Sequence, residues 1–263
     1  MDLGLKGKVA VVFGGTTGIG AAAALRFLEE GCRVAVCSRS EEKVEAFVKR
    51  ASEAGYDDVM AESVNGMEYA QTEAFADRVA ERFGRIDIWV NCAGGNIHGP
   101  LHTLPEETFR FIVDQNLTSV FFGIKAASKY MIPQKSGAIV SISSLSSKVP
   151  VDYRVTYGAA KAGVNLLTIG AASELAPYGI RVNAVAPGII DTVLSAKAIY
   201  EQTDYTMSMI PLHRAGKPEE IGDVIVCMCS DRFGYMTGAV VSVDGGKNTV
   251  EDSDLPWVKP WNS

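Results

Sequence analysis

Apolar residues along the chain fall into short continuous runs, separated by longer stretches whose apolar positions recur at helical spacing. The runs of strand length are Val9–Phe13, Arg33–Cys37, Val59–Glu62, Ile86–Asn91, Ala138–Ile142, Ile180–Val185 and Ala239–Val243. Helix formers and amphipathic spacing predict helices over Ile19–Glu30, Glu41–Ala54, Glu68–Phe83, Pro105–Met131, Thr156–Ala176 and Pro218–Ser230. Strands that are apolar throughout are buried on both faces, which implies a parallel sheet. Strict alternation then gives an α/β class: a doubly wound sheet of about seven parallel strands with helices on both faces. No repeat, low-complexity segment or linker marks a boundary, so one domain over residues 1–263 is expected. Within it, a substrate-covering segment is expected at about 189–213, and a C-terminal tail of open role at about 247–263.

Composition narrows the class. The chain has 263 residues, 47% apolar and 21% charged, enough to bury a core without a disulfide or metal. A net charge of −6 argues against a nucleic-acid or anionic-membrane partner. The cysteines, Cys32, Cys37, Cys92, Cys227 and Cys229, are odd in number and no pair has metal-ligand spacing. Cys227 and Cys229, two apart in an apolar run, read as buried thiols acting as small hydrophobes, which fits a reducing cytoplasm. The first apolar run breaks at Gly14 and reads as a strand, not a signal peptide. No apolar stretch approaches the ~20 residues of a membrane span. His98, His102 and His213 have no carboxylate or cysteine companions at ligand spacing, so no metal site is expected. His98 and His102 either line a substrate mouth or sit in a surface loop.

The first strand runs directly into Gly14-Gly15-Thr16-Thr17-Gly18-Ile19-Gly20, where a helix begins. Residues without Cβ let the backbone approach a pyrophosphate, and the helix N-terminus offers it free N–H groups. The second strand ends in Ser38-Arg39. An acidic residue there would favour NAD by bonding the ribose 2′-hydroxyl, whereas a guanidinium suits a 2′-phosphate. NADP(H) is therefore preferred, with NAD(H) left open.

Tyr157 and Lys161 are four apart in a helical stretch and share a face. A phenol titrating near ~10 is a poor acid–base at neutral pH unless a nearby cation stabilises its anion. The pair follows a serine-rich strand end, Ser141–Ser144, at the carboxyl edge where open α/β sheets bind ligands.

With these pieces in order, the chain resembles the short-chain dehydrogenase/reductase family over essentially its whole length. The matching positions are Gly14–Gly20, Asn91-Cys92-Ala93-Gly94, Asn116, Ser144, Tyr157/Lys161, Arg181-Val182-Asn183, Pro187-Gly188 with Thr192, and Asp244-Gly245-Gly246. The resemblance implies a catalytic tetrad of Asn116, Ser144, Tyr157 and Lys161. Tyr157 would exchange a proton with the substrate oxygen. Lys161 would lower the tyrosine pKa and hold the nicotinamide ribose, and Ser144 would bond the substrate oxygen. Ser144 is chosen by its twelve-residue interval to Tyr157, with Ser143 and Ser146 as alternatives. Asn116 would anchor a water; its alternative is a structural bond to backbone within its helix.

Cofactor contacts implied are Gly14, Thr16, Thr17, Gly18, Ile19, Gly20, Ser38, Arg39, Ser63, Val64, Asn91, Ala93, Gly94, Tyr157, Lys161, Pro187, Gly188, Ile190 and Thr192. Two positions depart from the family: Phe13 replaces a usual threonine, and Ser63 a usual aspartate facing the adenine. The resemblance also implies a homo-oligomer, tetramer or dimer.

The expected reaction is hydride transfer between NADP(H) and a ketone or secondary alcohol. The apolar 189–213 segment, with Tyr200, Tyr205, Met207, Met209 and Ile210, suggests a hydrophobic cyclic or steroid-like substrate. Two alternatives stand beside it: a 3-oxoacyl or enoyl thioester reductase, and a non-catalytic NADP-binding sensor.

Overall fold

A computed structural model of the chain describes residues 2–249, 253, 254 and 257. Its centre is a seven-stranded, wholly parallel sheet in the order β3-β2-β1-β4-β5-β6-β7. The strands are β1 (Val9–Phe13), β2 (Arg33–Ser38), β3 (Val59–Ser63), β4 (Ile88–Asn91), β5 (Gly137–Ile142), β6 (Ile180–Pro187) and β7 (Val240–Val243). The flanking helices are α1 (Gly18–Glu29), α2 (Glu41–Glu53), α3 (Tyr69–Phe83), α4 (Glu106–Val113), α5 (Ser119–Gln134), α6 (Val155–Leu175), α7 (Ala196–Glu201), α8 (Thr203–Ser208) and α9 (Pro218–Cys229).

Side chains of a strand alternate between faces, and β1 shows the consequence. Ala10 and Val12 join one core with Phe27 of α1 and Ile225 of α9. Val9, Val11 and Phe13 join the other with Phe75 of α3 and Met131 of α5. Both faces are dry, which is why the strand carries no polar residue. β7, at the sheet edge, is only half-buried.

Several boundaries differ from the pattern-based expectation. β4 begins at Ile88 and not Ile86, because the Asp87 carboxylate accepts the Val9 N–H at 2.9 Å and pairs with Arg85. The helix expected over Pro105–Met131 is α4, a π-helical turn over Asp114–Thr118, and then α5. It also runs on to Gln134 through Pro133, a proline in the last turn, where one missing N–H costs little. The segment after β6 folds into α7 and α8.

Chain order reverses between β1 and β4. In open α/β sheets the crevice beyond the carboxyl ends of such neighbours is where ligands bind. Of the expected tail, residues 250–252, 255, 256 and 258–263 lie outside the described residues.

Candidate active site

A cleft of about 910 Å³ opens along the carboxyl ends of the strands. One end is formed by the glycine turn after β1. Gly14 has φ of +83°, and a Cβ on it would lie 2.5 Å from the Ala93 nitrogen. A Cβ on Gly20 would lie 2.2 Å from the Gly14 carbonyl oxygen. Only glycine therefore lets the turn, the start of α1 and the β4 loop pack together. Thr17 precedes α1 without capping it by its side chain, and Thr17, Gly18 and Ile19 line the cleft. The positive end of the helix is thus presented to it.

Next along the cleft come Ser38, Arg39, Lys43 and Val64. The Arg39 guanidinium lies 5.9 Å from the centroid of the Phe111 ring. Ser63, exposed, donates its hydroxyl to the Arg39 carbonyl at 3.3 Å. It does not line the cleft but ties the loop that carries Arg39. Phe13 stacks on Trp89 at 6.0 Å, and a Cβ on Gly66 would meet its ring at 2.4 Å. The ring therefore buries the volume beneath the Asn65–Met67 loop, which lines the cleft although sequence reasoning did not place it there.

At the far end Ser144 and Tyr157 are hydrogen-bonded neighbours, with Lys161 behind them. The Lys161 ammonium donates to the Ile142 carbonyl at 2.8 Å and lies 5.7 Å from the Tyr157 ring centroid. Burial pulls Lys161 down to about 8, opposed by the Cys92 thiol. Burial pushes the Tyr157 phenol up from its usual range, while the Ser144 hydrogen bond and the Arg154 charge pull it back. Cys92 itself is pushed up to about 12, chiefly by burial. Ser143 is engaged elsewhere, donating to Asn165 at 2.5 Å and to the Lys161 carbonyl at 3.2 Å.

Most expected residues converge on the cleft; four do not line it. Gly20 sits behind the turn. Asn91 is buried, accepting from Trp89 Nε1 at 2.8 Å and donating to the Ser141 hydroxyl at 3.1 Å. Asn116 is fully buried in the π-helical turn and donates to the carbonyls of Gly95 and Ile112 at 2.8 and 2.9 Å. Ser63 is the fourth. His98 does line the cleft, together with Asn96 and Gln115.

Pro187, Gly188, Ile190 and Thr192 complete one wall, continued by Val193 and Leu194. Beyond them the described tail residues rest on the covering segment. Ser253 donates to the Ser208 carbonyl at 2.6 Å, Asp254 pairs with His213 at 2.8 Å, and Trp257 donates to the Pro211 carbonyl at 2.9 Å.

Comparisons agree with this geometry. A family profile described as enoyl-(acyl carrier protein) reductase matches residues 14–248. A 3-oxoacyl-(acyl-carrier-protein) reductase of Thermotoga maritima is 38% identical over 242 residues, covering 92% of this chain and 98% of its own. A 3alpha-hydroxysteroid dehydrogenase of Mediterraneibacter gnavus is 38% identical over 246 residues, covering 93% and 98%. The crystal structure of gox2181 superimposes with a TM-score of 0.91 at 33% identity, covering 95% of this chain and 98% of that one. The chain belongs to the short-chain dehydrogenase/reductase family. It is an oxidoreductase acting on CH–OH groups, and its relatives use nicotinamide cofactors. The glycine cradle, which any Cβ would fill, and the cleft volume fit such a group. No helix among the described residues is long and apolar enough to cross a membrane, and none of their His, Cys, Asp and Glu side chains form a metal-binding cluster.

Proposed function

We propose that the protein is an NADP(H)-dependent oxidoreductase interconverting a ketone and a secondary alcohol, with a hydrophobic, cyclic or steroid-like skeleton as substrate. One observation carries the reading: Tyr157, Ser144 and Lys161 meet at one end of a cleft whose other end is a glycine cradle. The cofactor supplies or accepts the hydride when bound. The glycine turn (Gly14, Thr16, Thr17, Gly18, Ile19) would hold its pyrophosphate, Arg39 its 2′-phosphate, and Ile190 and Thr192 its carboxamide.

Burial keeps Tyr157 protonated at neutral pH, the form needed to donate to a carbonyl oxygen during reduction. Ser144, bonded to the same phenol, would hold that oxygen as charge develops on it. Lys161, charged below about 8, would bind the ribose hydroxyls and favour the phenolate left after transfer. Asn116 would hold the Gly94–Gly95 loop against Lys161. Cleft and proton donor lie on one sheet edge, so a single domain carries both tasks.

A second reading is reduction of a 3-oxoacyl thioester, favoured by the Thermotoga maritima relative, as similar as the hydroxysteroid dehydrogenase. Exposed apolar side chains on α4, α5 and α6 (Phe109, Phe121, Leu166, Ile169) would be covered by a second copy, in a dimer or tetramer. Free thiols fit a cytoplasmic setting. The test is turnover of steroid, cyclic and 3-oxoacyl thioester ketones with NADPH or NADH, by the wild type and Tyr157→Phe. The variant is expected to lose about 10²–10⁴-fold in kcat. Unchanged turnover would remove Tyr157 from the reaction.

A further inference from the structure

The segment that follows β6 is a loop closed at its base. Ile190 and Gly216 form a parallel bridge. The Asp191 N–H donates to the Gly216 carbonyl at 2.8 Å, and the Gly216 N–H to the Ile189 carbonyl at 2.9 Å. A Cβ on Gly216 would lie 2.6 Å from Ile190 Cδ1, so the base is tight. Just beyond it Thr192, Val193, Leu194 and Ser195 line the cleft and lead into α7 and α8. A loop pinned at its base moves as a unit, and its position depends on what holds the far side.

Two structures hold that far side. One is the turn after β7: the Leu212 N–H donates to the Gly245 carbonyl at 3.1 Å, and the Gly246 Cα faces the Pro211 ring. The other is the tail, which grips the His213 ring from two directions. The Trp257 indole stacks on its face, with centroids 4.6 Å apart and planes 19° apart. The Asp254 carboxylate meets its edge, 2.8 Å from Nε2. The same indole donates to the Pro211 carbonyl, and Ser253 to the Ser208 carbonyl. These partners lie 41 to 46 residues apart in the chain. None of Ser253, Asp254 and Trp257 lines the cleft, so they act on the loop and not on what the cleft holds.

The joint is suited to opening. His213 adopts φ of +55°, a left-handed conformation that persists where surrounding contacts impose it. Asp254 and Trp257 are both more than a third exposed, and contacts so open to water are individually weak.

We propose that Ser253, Asp254 and Trp257 form a strap that holds the loop closed over the cleft. Undocking of Trp257 and Asp254 from His213 then opens the substrate's path in and the product's path out. Because the base stays bridged, Ile190 and Thr192 keep their places when the strap lets go. The strap therefore governs substrate access more than cofactor binding. Its link to substrate rests on the reading of the cleft as a ketone site.

The experiment measures amide hydrogen exchange of the full chain with saturating NADPH, beside steady-state kinetics. The variants are Trp257→Ala, Trp257→Phe and His213→Asn, the last chosen because asparagine tolerates the left-handed backbone. Exchange across 199–213 is expected to quicken about tenfold or more in Trp257→Ala and His213→Asn, with β6 and α9 unchanged. Trp257→Phe keeps a ring to stack but lacks the N–H to Pro211, and is expected to fall between. KM for the ketone that the wild type turns over best should rise about fivefold in Trp257→Ala, and that for NADPH less than about twofold. Exchange in Trp257→Ala as slow as in the wild type would overturn the strap. Faster exchange with unchanged ketone kinetics would overturn its control of access. If the wild type turned over no ketone, the ketone reading and this control of access would fall together. The exchange data would still decide whether the tail holds the loop.

Discussion

The side chain of Asn116 grips the backbone of Gly95 from both sides. The Gly95 N–H donates to Asn116 Oδ1 at 3.2 Å, and Asn116 Nδ2 donates to the Gly95 carbonyl at 2.8 Å. A Cβ on neighbouring Gly94 would lie 2.9 Å from the same oxygen and 3.4 Å from the Lys161 ammonium. The grip thus sets the cleft wall beside Lys161. Asn116→Ala leaves both Gly95 groups without partners, each costing about 1–3 kcal/mol if buried. We expect a lower melting temperature and a kcat reduced about tenfold or more. Asn116→Asp should rescue the Gly95 N–H contact alone. Full activity in Asn116→Ala would show that the loop holds itself.

Lys161 makes a prediction in pH. Its folded value is drawn down to about 8 by burial, against about 10.4 in an unfolded chain. Below pH 8 both states are protonated, and the folded protein bears the whole desolvation cost. Between the two values the unfolded chain binds the extra proton, so stability at this position rises with pH until about 10.4. Lys161→Met lacks this term. Urea melts at pH 7.5 and 10 should show the wild type gaining up to roughly 3 kcal/mol relative to the variant. A constant difference between the two would mean that the ammonium is solvated in the folded protein.

Arg39 tests the cofactor half of the proposal. Its guanidinium lies over the Phe111 ring at the cleft edge, and no carboxylate lines the cleft beside it. A charge-assisted hydrogen bond to a phosphate is worth about 1.5–3 kcal/mol. Arg39→Ala should therefore raise KM for NADPH about 10–100-fold and change that for NADH little, with the gap shrinking at high salt. Equal losses for the two cofactors would end the NADP assignment.

What could be read ahead of the structure follows from which signals are local. The all-apolar runs of β1 and β2 announce burial on both faces. The spacing of Tyr157 to Lys161 is a helix repeat. The glycines of the first turn are legible because their steric demand is carried by residue type. The π-helical turn at Asp114–Thr118 has no such marker, since its residues are ordinary helix residues and its contacts, Asn116 with Gly95 and Leu117 with Gly163, are with segments distant in sequence. Asn91 and Ser63 sit where cofactor contacts are expected, but their side chains are taken up by Trp89, Ser141 and the Arg39 carbonyl. Hydrogen bonds between segments far apart in sequence leave no trace in local pattern.

Gly123 is a further case, because a glycine inside a helix reads as a mild defect, and its place here is obligatory. It faces β4, and a Cβ would lie 1.9 Å from Asn91 Oδ1 and 2.7 Å from Trp89 Nε1. Gly123→Ala must either displace α5 or break the buried bond between those two side chains. Overpacking costs about 1–3 kcal/mol, and an orphaned buried donor about 1–3 kcal/mol more. We expect a loss of roughly 2–5 kcal/mol in urea unfolding. Gly170 on α6 supplies the control, since a Cβ there meets nothing within 4 Å. Gly170→Ala should be neutral or add about 0.5–1 kcal/mol through helix entropy. If both substitutions behaved alike, the contact between α5 and the Trp89–Asn91 pair would not be setting the spacing of that helix from the sheet.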